Sequence, residues 1–262
     1  MLAMSQDPWS TLADRYDDEA SASVKGKVRN YVLHHHLLDH LPQPPAAILD
    51  VGGGAAHQAL PLARAGYEVT LLDSSPAMLG KAERRLGSEP AAVRARVRLV
   101  HGRGEDAGQA TGGARFSAVL CHGVLMYLDQ PQPLVTSLCE CVAPGGVVSV
   151  MALNAQSLAV LPALQRRWSD ALAAFDARIE RGVLGVRTRA DTVGELSDLL
   201  RARGVEPEAW YGVWLFADLV NLTDAAAEEI SQIAAVELQA SRRDPYRHLS
   251  RVFHLVGRRH AA

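Results

Sequence analysis

The chain has 262 residues, 48% hydrophobic and 21% charged, with a net charge of −2. That balance fits a folded α/β protein, excludes a disordered or low-complexity chain, and gives no global sign of a nucleic-acid binder. No apolar run approaches the roughly 20 residues that a membrane span needs. Three cysteines without a paired framework (Cys121, Cys139 and Cys141) read as reduced thiols of a cytoplasmic protein.

Residues 1–20 are polar and acidic and lack the basic-then-apolar order of a signal peptide. "SVKGKVRNYVLHHHLLDHLP" then predicts a helix, with Val28, Val32, Leu33, Leu37, Leu38 and Leu41 at helical spacing and "PQPP" as its stop. "AAILDVGG" is too short for a helix and ends in glycine, so it predicts a buried strand. "AHQALPLARAG" predicts a helix closed by Gly66, and "YEVTLLD" a second strand. "SPAMLGKAERRLG" predicts a helix capped by Ser74 or Ser75 with Pro76 in its first turn. "VRLVHG" and "FSAVLCHG" predict further strands. "QPLVTSLCECV" predicts a helix before the turn "APGG", and "VVSVMALN" a fifth strand. Strands alternating with helices imply a doubly wound, Rossmann-like, mostly parallel sheet.

After Asn154 the pattern changes. "SLAVLPALQRRWSDALAAFDARIERG" predicts a helix with Leu158, Leu161, Leu164, Trp168, Leu172 and Phe175 on one stripe. "TVGELSDLLRARG" and "AAAEEISQIAAVELQASRR" predict two more helices. "WYGVWLF" and "RVFHLVGRR" predict late strands that add an antiparallel edge to the sheet. The expected organisation is one domain over 1–262, with a helical insertion at about 155–190 over the carboxyl edge of the sheet. That edge is where open α/β sheets bind ligands.

The chemistry centres on "DVGGGAA", Asp50 to Ala56. Gly52 and Gly54 allow a sharp turn and a close approach of backbone N–H groups at a helix start. A dinucleotide fingerprint needs a glycine three residues after Gly54, where His57 stands, and the Gly-Lys-Ser/Thr of a phosphate loop is absent. Asp73 ends the second strand about 20 residues on, the position of an acid that accepts ribose hydroxyls. Alone, it reads equally as a helix cap. Gly104, Glu105 and Asp106 follow the third strand, where an adenine amino group can be read; alone, they read as a solvated loop. Together, and in order, these residues describe a site for S-adenosylmethionine.

The residues Asp50–Gly54, Asp73, Gly104–Asp106 and Pro144–Gly146 resemble those of class I S-adenosylmethionine-dependent methyltransferases. "VKGKVR" (Val24–Arg29), "HGVLMYLDQP" (His122–Pro131), "MALNAQSL" (Met151–Leu158), "YGVWLFAD" (Tyr211–Asp218) and "DPYRHLSRVFH" (Asp244–His254) further resemble the bacterial tRNA 5-carboxymethoxyuridine methyltransferases. The resemblance implies that Arg29 meets the cofactor's methionine carboxylate and that His122 borders the sulfonium end. It implies that Gly52, Gly53, Asp73, Gly104 and Glu105 hold the nucleoside. Asp50, Gly54, Ser74, Met78 and Asp106 complete the candidate cofactor set. A tRNA wobble carboxylate is then the first acceptor.

A small-molecule O- or N-methyltransferase and a non-catalytic cofactor-binding regulator are the alternatives. A carboxylate acceptor needs no general base, whereas a hydroxyl acceptor needs one, and His122 is its candidate, with Tyr127 beside it. Tyr127, Asn154, Trp214, Tyr246 and Arg251 are the acceptor-side candidates. Trp214 reads as a stacking platform or as a core aromatic. Tyr246 and Arg251 read as anion contacts or as ties for the last strand. No metal is expected: of His34–His36 and His40, only His36 and His40 share a helix face, and no HExxH accompanies them.

Overall fold

The computed structural model describes residue 17 and residues 23–182, 185–220, 222 and 224–261. Residues 1–16 and 18–20, the polar and acidic stretch without signal-peptide order, lie outside the described residues.

Five strands form the parallel part of the sheet: β1 (Ala47–Val51), β2 (Glu68–Asp73), β3 (Val97–His101), β4 (Phe116–His122) and β5 (Val142–Asn154). Their order is β3-β2-β1-β4-β5, so the winding reverses between β1 and β4. Ligands of open α/β sheets bind at the carboxyl ends beside such a reversal. Here Val51, Asp73, His101 and His122 end at that crevice.

The strands are apolar on both faces because both faces are covered. Leu49, Val51, Val119 and Cys121 face one cluster with Leu134, Leu138, Leu196 and Leu200. Ile48, Leu71, Ala118 and Leu120 face the other with Leu60, Leu62, Ala82 and Leu86. Helices α1 (Val24–Leu38), α2 (Ala59–Arg64) and α3 (Pro76–Gly87) belong to the second face, and α4 (Gln132–Cys141) to the first. Ser23 starts α1 by accepting the Gly26 N–H at 2.9 Å. Val24, Val28, Val32 and Leu33 then pack on Met151, Leu153, Val213 and Val252, which suspends Arg29 above the end of β5.

Residues 155–190 depart from a continuous helix. They form α5 (Val160–Leu164), α6 (Trp168–Ala174) and an antiparallel pair, β6 (Ile179–Arg181) with β7 (Arg187–Asp191). The helical spacing of the apolar residues is present, but Arg166 takes a φ of 58° between the two helices. That residue breaks the backbone, so the stripe cannot lie on one surface. Leu158 is buried, while Trp168 and Phe175 are 66% and 75% exposed. β7 joins β5 in parallel at Leu153 and Asn154, beyond the end of β4.

The longer elements that follow are α7 (Val193–Arg201), β8 (Val205–Val213), α8 (Ala227–Ala240) and β9 (Val252–Arg259). Thr192 and Glu195 form a reciprocal capping box at the start of α7. β9 runs antiparallel to β5 and β8 antiparallel to β9, as the late strands predict. β8 stops at Val213 because Trp214 turns to a φ of 62°. Buried Glu237 of α8 accepts the N–H groups of Leu215 and Ala217 at 3.1 and 2.6 Å, which satisfies the backbone leaving the strand. No helix of the described residues is long and apolar enough to cross a membrane.

Candidate active site

Two cavities open at the carboxyl edge and share Gly52 and Gly54. The larger, about 230 Å³, is lined by Asp73, Ser74, Met78, Gly104, Glu105 and Tyr127 among others. The smaller, about 40 Å³, is lined by Arg29, Asp50, Gly53, His57, Gln58 and His122 among others.

The glycine turn is the partition between them. Gly52 has a φ of 68°, and a Cβ there would overlap the Val124 side chain. Gly52→Ala is therefore expected to destabilise the fold by about 3 kcal/mol, from left-handed backbone strain plus overpacking. A melting midpoint within a degree of wild type would contradict this. At Gly104 a Cβ would meet Leu134 Cδ1 at 2.7 Å and Val51 Cγ1 at 2.8 Å. Only glycine lets that backbone line the larger cavity.

Asp73 joins the turn to the next strand end. Its Oδ2 accepts the Gly54 N–H at 2.9 Å and its Oδ1 the Ser75 N–H at 2.8 Å. Two fixed donors orient the carboxylate at the cavity wall. Ser75, not Ser74, caps α3, and Ser74 lines the cavity instead. The short 3-10 turn Gly104–Asp106 separates its two acids. Glu105 is half-buried at the cavity and paired with Arg103 at 3.0 Å, whereas Asp106 is exposed and lines neither cavity.

The smaller cavity concentrates unsatisfied polar groups. Asp50 Oδ2, His122 Nδ1 and both amide atoms of Gln58 are buried without a hydrogen-bond partner among the described residues. Burial, then the neighbouring Asp73, pushes Asp50 up to about 7. Burial, then Arg29, pushes His122 down to about 3. Native proteins satisfy such groups or hold them for a ligand.

Residues 49–148 match the family described as methyltransferase domain. Over 251 residues the chain is 24% identical to the tRNA 5-carboxymethoxyuridine methyltransferase of Escherichia coli O157:H7, spanning 95% of this chain and 94% of that one. The solved CcbJ methyltransferase from Streptomyces caelestis superposes with a TM-score of 0.61 at 21% identity over 96% of each chain. The magnesium protoporphyrin IX methyltransferase from Synechocystis PCC 6803, with bound SAH, gives a TM-score of 0.60 at 14% identity over 95% of this chain and 94% of that one. The chain is an S-adenosylmethionine-dependent methyltransferase.

The methyltransferase's two cavities fit that cofactor. The larger has the groups that a nucleoside would need: glycine backbone, an oriented carboxylate, and apolar walls from Leu72, Met78 and Leu134. The smaller has the groups that a zwitterion would need: its orphaned atoms include acceptors for an ammonium and a donor amide, and the Arg29 guanidinium lines the same cavity. The cofactor's α-amino acid carries both charges. Among the described residues, no cluster of histidine, cysteine or acidic side chains could hold a metal.

The acceptor-side candidates scatter. Tyr127 lines the larger cavity. Asn154 is buried and committed: its amide donates to the His248 and Ser250 carbonyls at 3.1 and 3.0 Å and accepts the Gln156 N–H at 3.0 Å. It ties β5 to the chain entering β9 and is not placed to meet an acceptor. Trp214 donates Nε1–H to the Lys25 carbonyl at 2.8 Å, with the Arg29 guanidinium 5.6 Å from its ring centre. That ring backs Arg29; it lines neither cavity. Tyr246 is 45% exposed and stands near Phe216. Arg251 is paired with Glu180 of β6, so it tethers the hairpin over the edge.

Two site residues escaped the sequence reading. Gln58 is the N-cap residue just before α2, in a stretch that the sequence reads as helix, where it looks like an ordinary helical polar residue. His57, the residue that excluded a dinucleotide, lines the smaller cavity and contacts Asp17 at 2.9 Å.

The buried titratable groups set opposing pH dependences. Burial lowers His36 and His122 to about 3 and His57 to about 4. Their unfolded forms take up protons below about 6.5 while the native forms do not, so stability falls as pH drops from that value toward 4. Asp50, raised, does the reverse: its contribution is full below about 4 and lost as pH rises through about 7. Asp50→Asn mimics the protonated carboxyl. It is expected to melt above wild type at pH 8, by a few kcal/mol of stability, and to converge with it only below about pH 4. A uniform offset at both pH values would contradict the assignment.

Proposed function

We propose that this methyltransferase esterifies a carboxylate, with the 5-carboxymethoxyuridine of a tRNA wobble position as the leading acceptor. The observation that carries the proposal is the match along 95% of the chain to a relative named for that substrate. The electrostatics of the site agree with it. A carboxylate is already ionised at neutral pH, and His122, held at about 3, is poorly matched to removing a proton from a hydroxyl.

S-adenosylmethionine, when bound, supplies an electrophilic methyl on a sulfonium cation. The chain's residues do the rest. Asp73 and the glycine turn fix the nucleoside, and Arg29 with the orphaned polar groups fixes the amino-acid end. Residues on both sides of the Gly52 partition would hold the cofactor, and Tyr127 lines the larger cavity beside it. A bound acceptor oxygen would form its bond to the donated methyl carbon as the sulfur–methyl bond breaks, with the electron pair going to sulfur and no proton moving. Holding the two atoms near contact and on axis is the main catalytic contribution.

A second reading, a small carboxylate-bearing acceptor, is favoured by one observation. Three arginines in or beside the segment over the edge are already paired: Arg178 with Glu195 at 2.9 Å, Arg189 with Asp191 at 2.8 Å, and Arg251 with Glu180. Phosphate contacts would compete with these acids. The two readings separate when tRNA bearing carboxymethoxyuridine is incubated with enzyme and cofactor, digested, and analysed by mass spectrometry. The tRNA reading expects the nucleoside methyl ester. No ester from tRNA, with turnover on small-molecule extracts, would overturn it in favour of the second.

A further inference from the structure

A file of buried side chains runs from the smaller cavity into the protein. His122 Nε2 lies 2.8 Å from Ser149 Oγ, which lies 2.6 Å from His254 Nε2. His254 Nδ1 is 3.3 Å from His36 Nδ1, and His36 Nε2 is 2.8 Å from Ser241 Oγ. Ser241 donates to the Leu238 carbonyl at 2.8 Å. Ser149, His254 and His36 are fully buried.

Only one arrangement of protons satisfies all five contacts with neutral rings. The single Ser241 proton goes to a carbonyl, which can only accept. Ser241 therefore accepts from His36, which must carry its proton on Nε2. A neutral imidazole has one donor and one acceptor nitrogen, so His36 Nδ1 is bare and His254 donates to it from Nδ1. His254 Nε2 is then bare and receives the Ser149 proton. Ser149 must in turn accept from His122, which carries its proton on Nε2. His122 Nδ1 is left bare, and that atom is buried without a partner among the described residues. Burial drives all three rings toward the neutral form.

We propose that Ser149, His254, His36 and Ser241 are positioning residues that lock His122 in its Nε2–H tautomer, so that Nδ1 serves as a hydrogen-bond acceptor for the cofactor's α-ammonium. The proposal rests on the amino-acid end lying in the Arg29 cavity, which His122 also lines. The opposite tautomer would aim an N–H at an ammonium, a donor facing a donor. The chain thus decides whether His122 attracts or repels the cofactor. It also explains why a ring with so low a pKa lines the site: it has to accept a hydrogen bond, not take a proton.

The test is a long-range proton–nitrogen spectrum of the full-length protein labelled at histidine nitrogens. The ligand-free protein is expected to show His122 as Nε2–H with a bare Nδ1. S-adenosylhomocysteine should shift the Nδ1 resonance, and methylthioadenosine, which lacks the amino-acid end, should not. An Nδ1–H tautomer in the ligand-free protein overturns the tautomer chain itself. The Nε2–H tautomer with an Nδ1 unmoved by S-adenosylhomocysteine overturns the ammonium contact. If Arg29→Ala also spares S-adenosylhomocysteine binding, the placement of the amino-acid end falls as well. Ser149→Ala removes the acceptor for Nε2–H and should weaken S-adenosylhomocysteine about tenfold with methylthioadenosine unchanged, which is about 1.4 kcal/mol. Ser149→Thr, which keeps the hydroxyl, should restore it. Equal losses for both ligands would overturn the proposal, and the wild-type spectrum decides it even if the variants fold poorly.

Discussion

Asp73→Ala is expected to weaken S-adenosylhomocysteine binding by about 3 kcal/mol, roughly 150-fold, in a calorimetric titration. Two losses add. The carboxylate no longer accepts the ribose hydroxyls, and hydrogen bonds to charged groups contribute about 1.5–3 kcal/mol. The Gly54 and Ser75 N–H groups, now held at 2.9 and 2.8 Å, also lose their acceptor, so the turn that shapes the cavity loosens. Asp73→Asn should be nearly as damaging, because one of its two oriented acceptors becomes a donor facing a backbone N–H. Adenosine should suffer in proportion, since it carries the same ribose. An affinity within twofold of wild type would remove Asp73 from the cofactor site.

The second large effect is selective. Arg29→Ala should weaken S-adenosylhomocysteine by about 2–3 kcal/mol and leave methylthioadenosine unchanged, because only the former carries a carboxylate. The guanidinium is pre-oriented: Nε and Nη2 both donate to the Asn30 side-chain oxygen, at 3.2 and 3.0 Å, and the Trp214 ring lies alongside. Arg29→Lys should recover only part of the loss, since a point charge lacks the planar fork. Equal losses for both ligands would mean that Arg29 supports the fold and does not read the amino-acid end.

These residues differ in how far the sequence disclosed them. The glycine turn and Asp73 were legible because strand, glycine and helix follow one another locally, and each carries its own backbone logic. The parallel order of β1 to β5 followed from the same alternation. Arg29 had no such signal; on an amphipathic helix it looks like any surface arginine, and only the resemblance singled it out. Glu105 and Asp106 could not be separated, because a 3-10 turn decides which acid faces the cavity. Asn154 was misplaced for an instructive reason. Strand ends at this edge meet ligands, but its amide closes on His248 and Ser250, more than 90 residues later in the chain.

The stripe from Leu158 to Phe175 had the right period and the wrong consequence, because one residue at positive φ divides it. The file from His122 to Ser241 was invisible for a further reason: its partners lie 105 and 218 residues apart and meet only when β5, β9 and α1 are packed together. Local patterns disclosed the residues around the larger cavity. The smaller cavity and the file behind it depend on long-range contacts.

The claim that the site transfers a methyl group to an already ionised carboxylate has a direct chemical test. Enzyme and cofactor labelled on the methyl group are incubated with cellular RNA and, separately, with small-molecule extracts, and the products are treated with mild alkali. Methyl esters hydrolyse under these conditions, whereas aryl ethers and methylamines do not. Transfer to a carboxylate releases the label as volatile methanol, from whichever fraction holds the acceptor. Label that stays bound after alkali would contradict it and return a proton-bearing oxygen or nitrogen as the nucleophile.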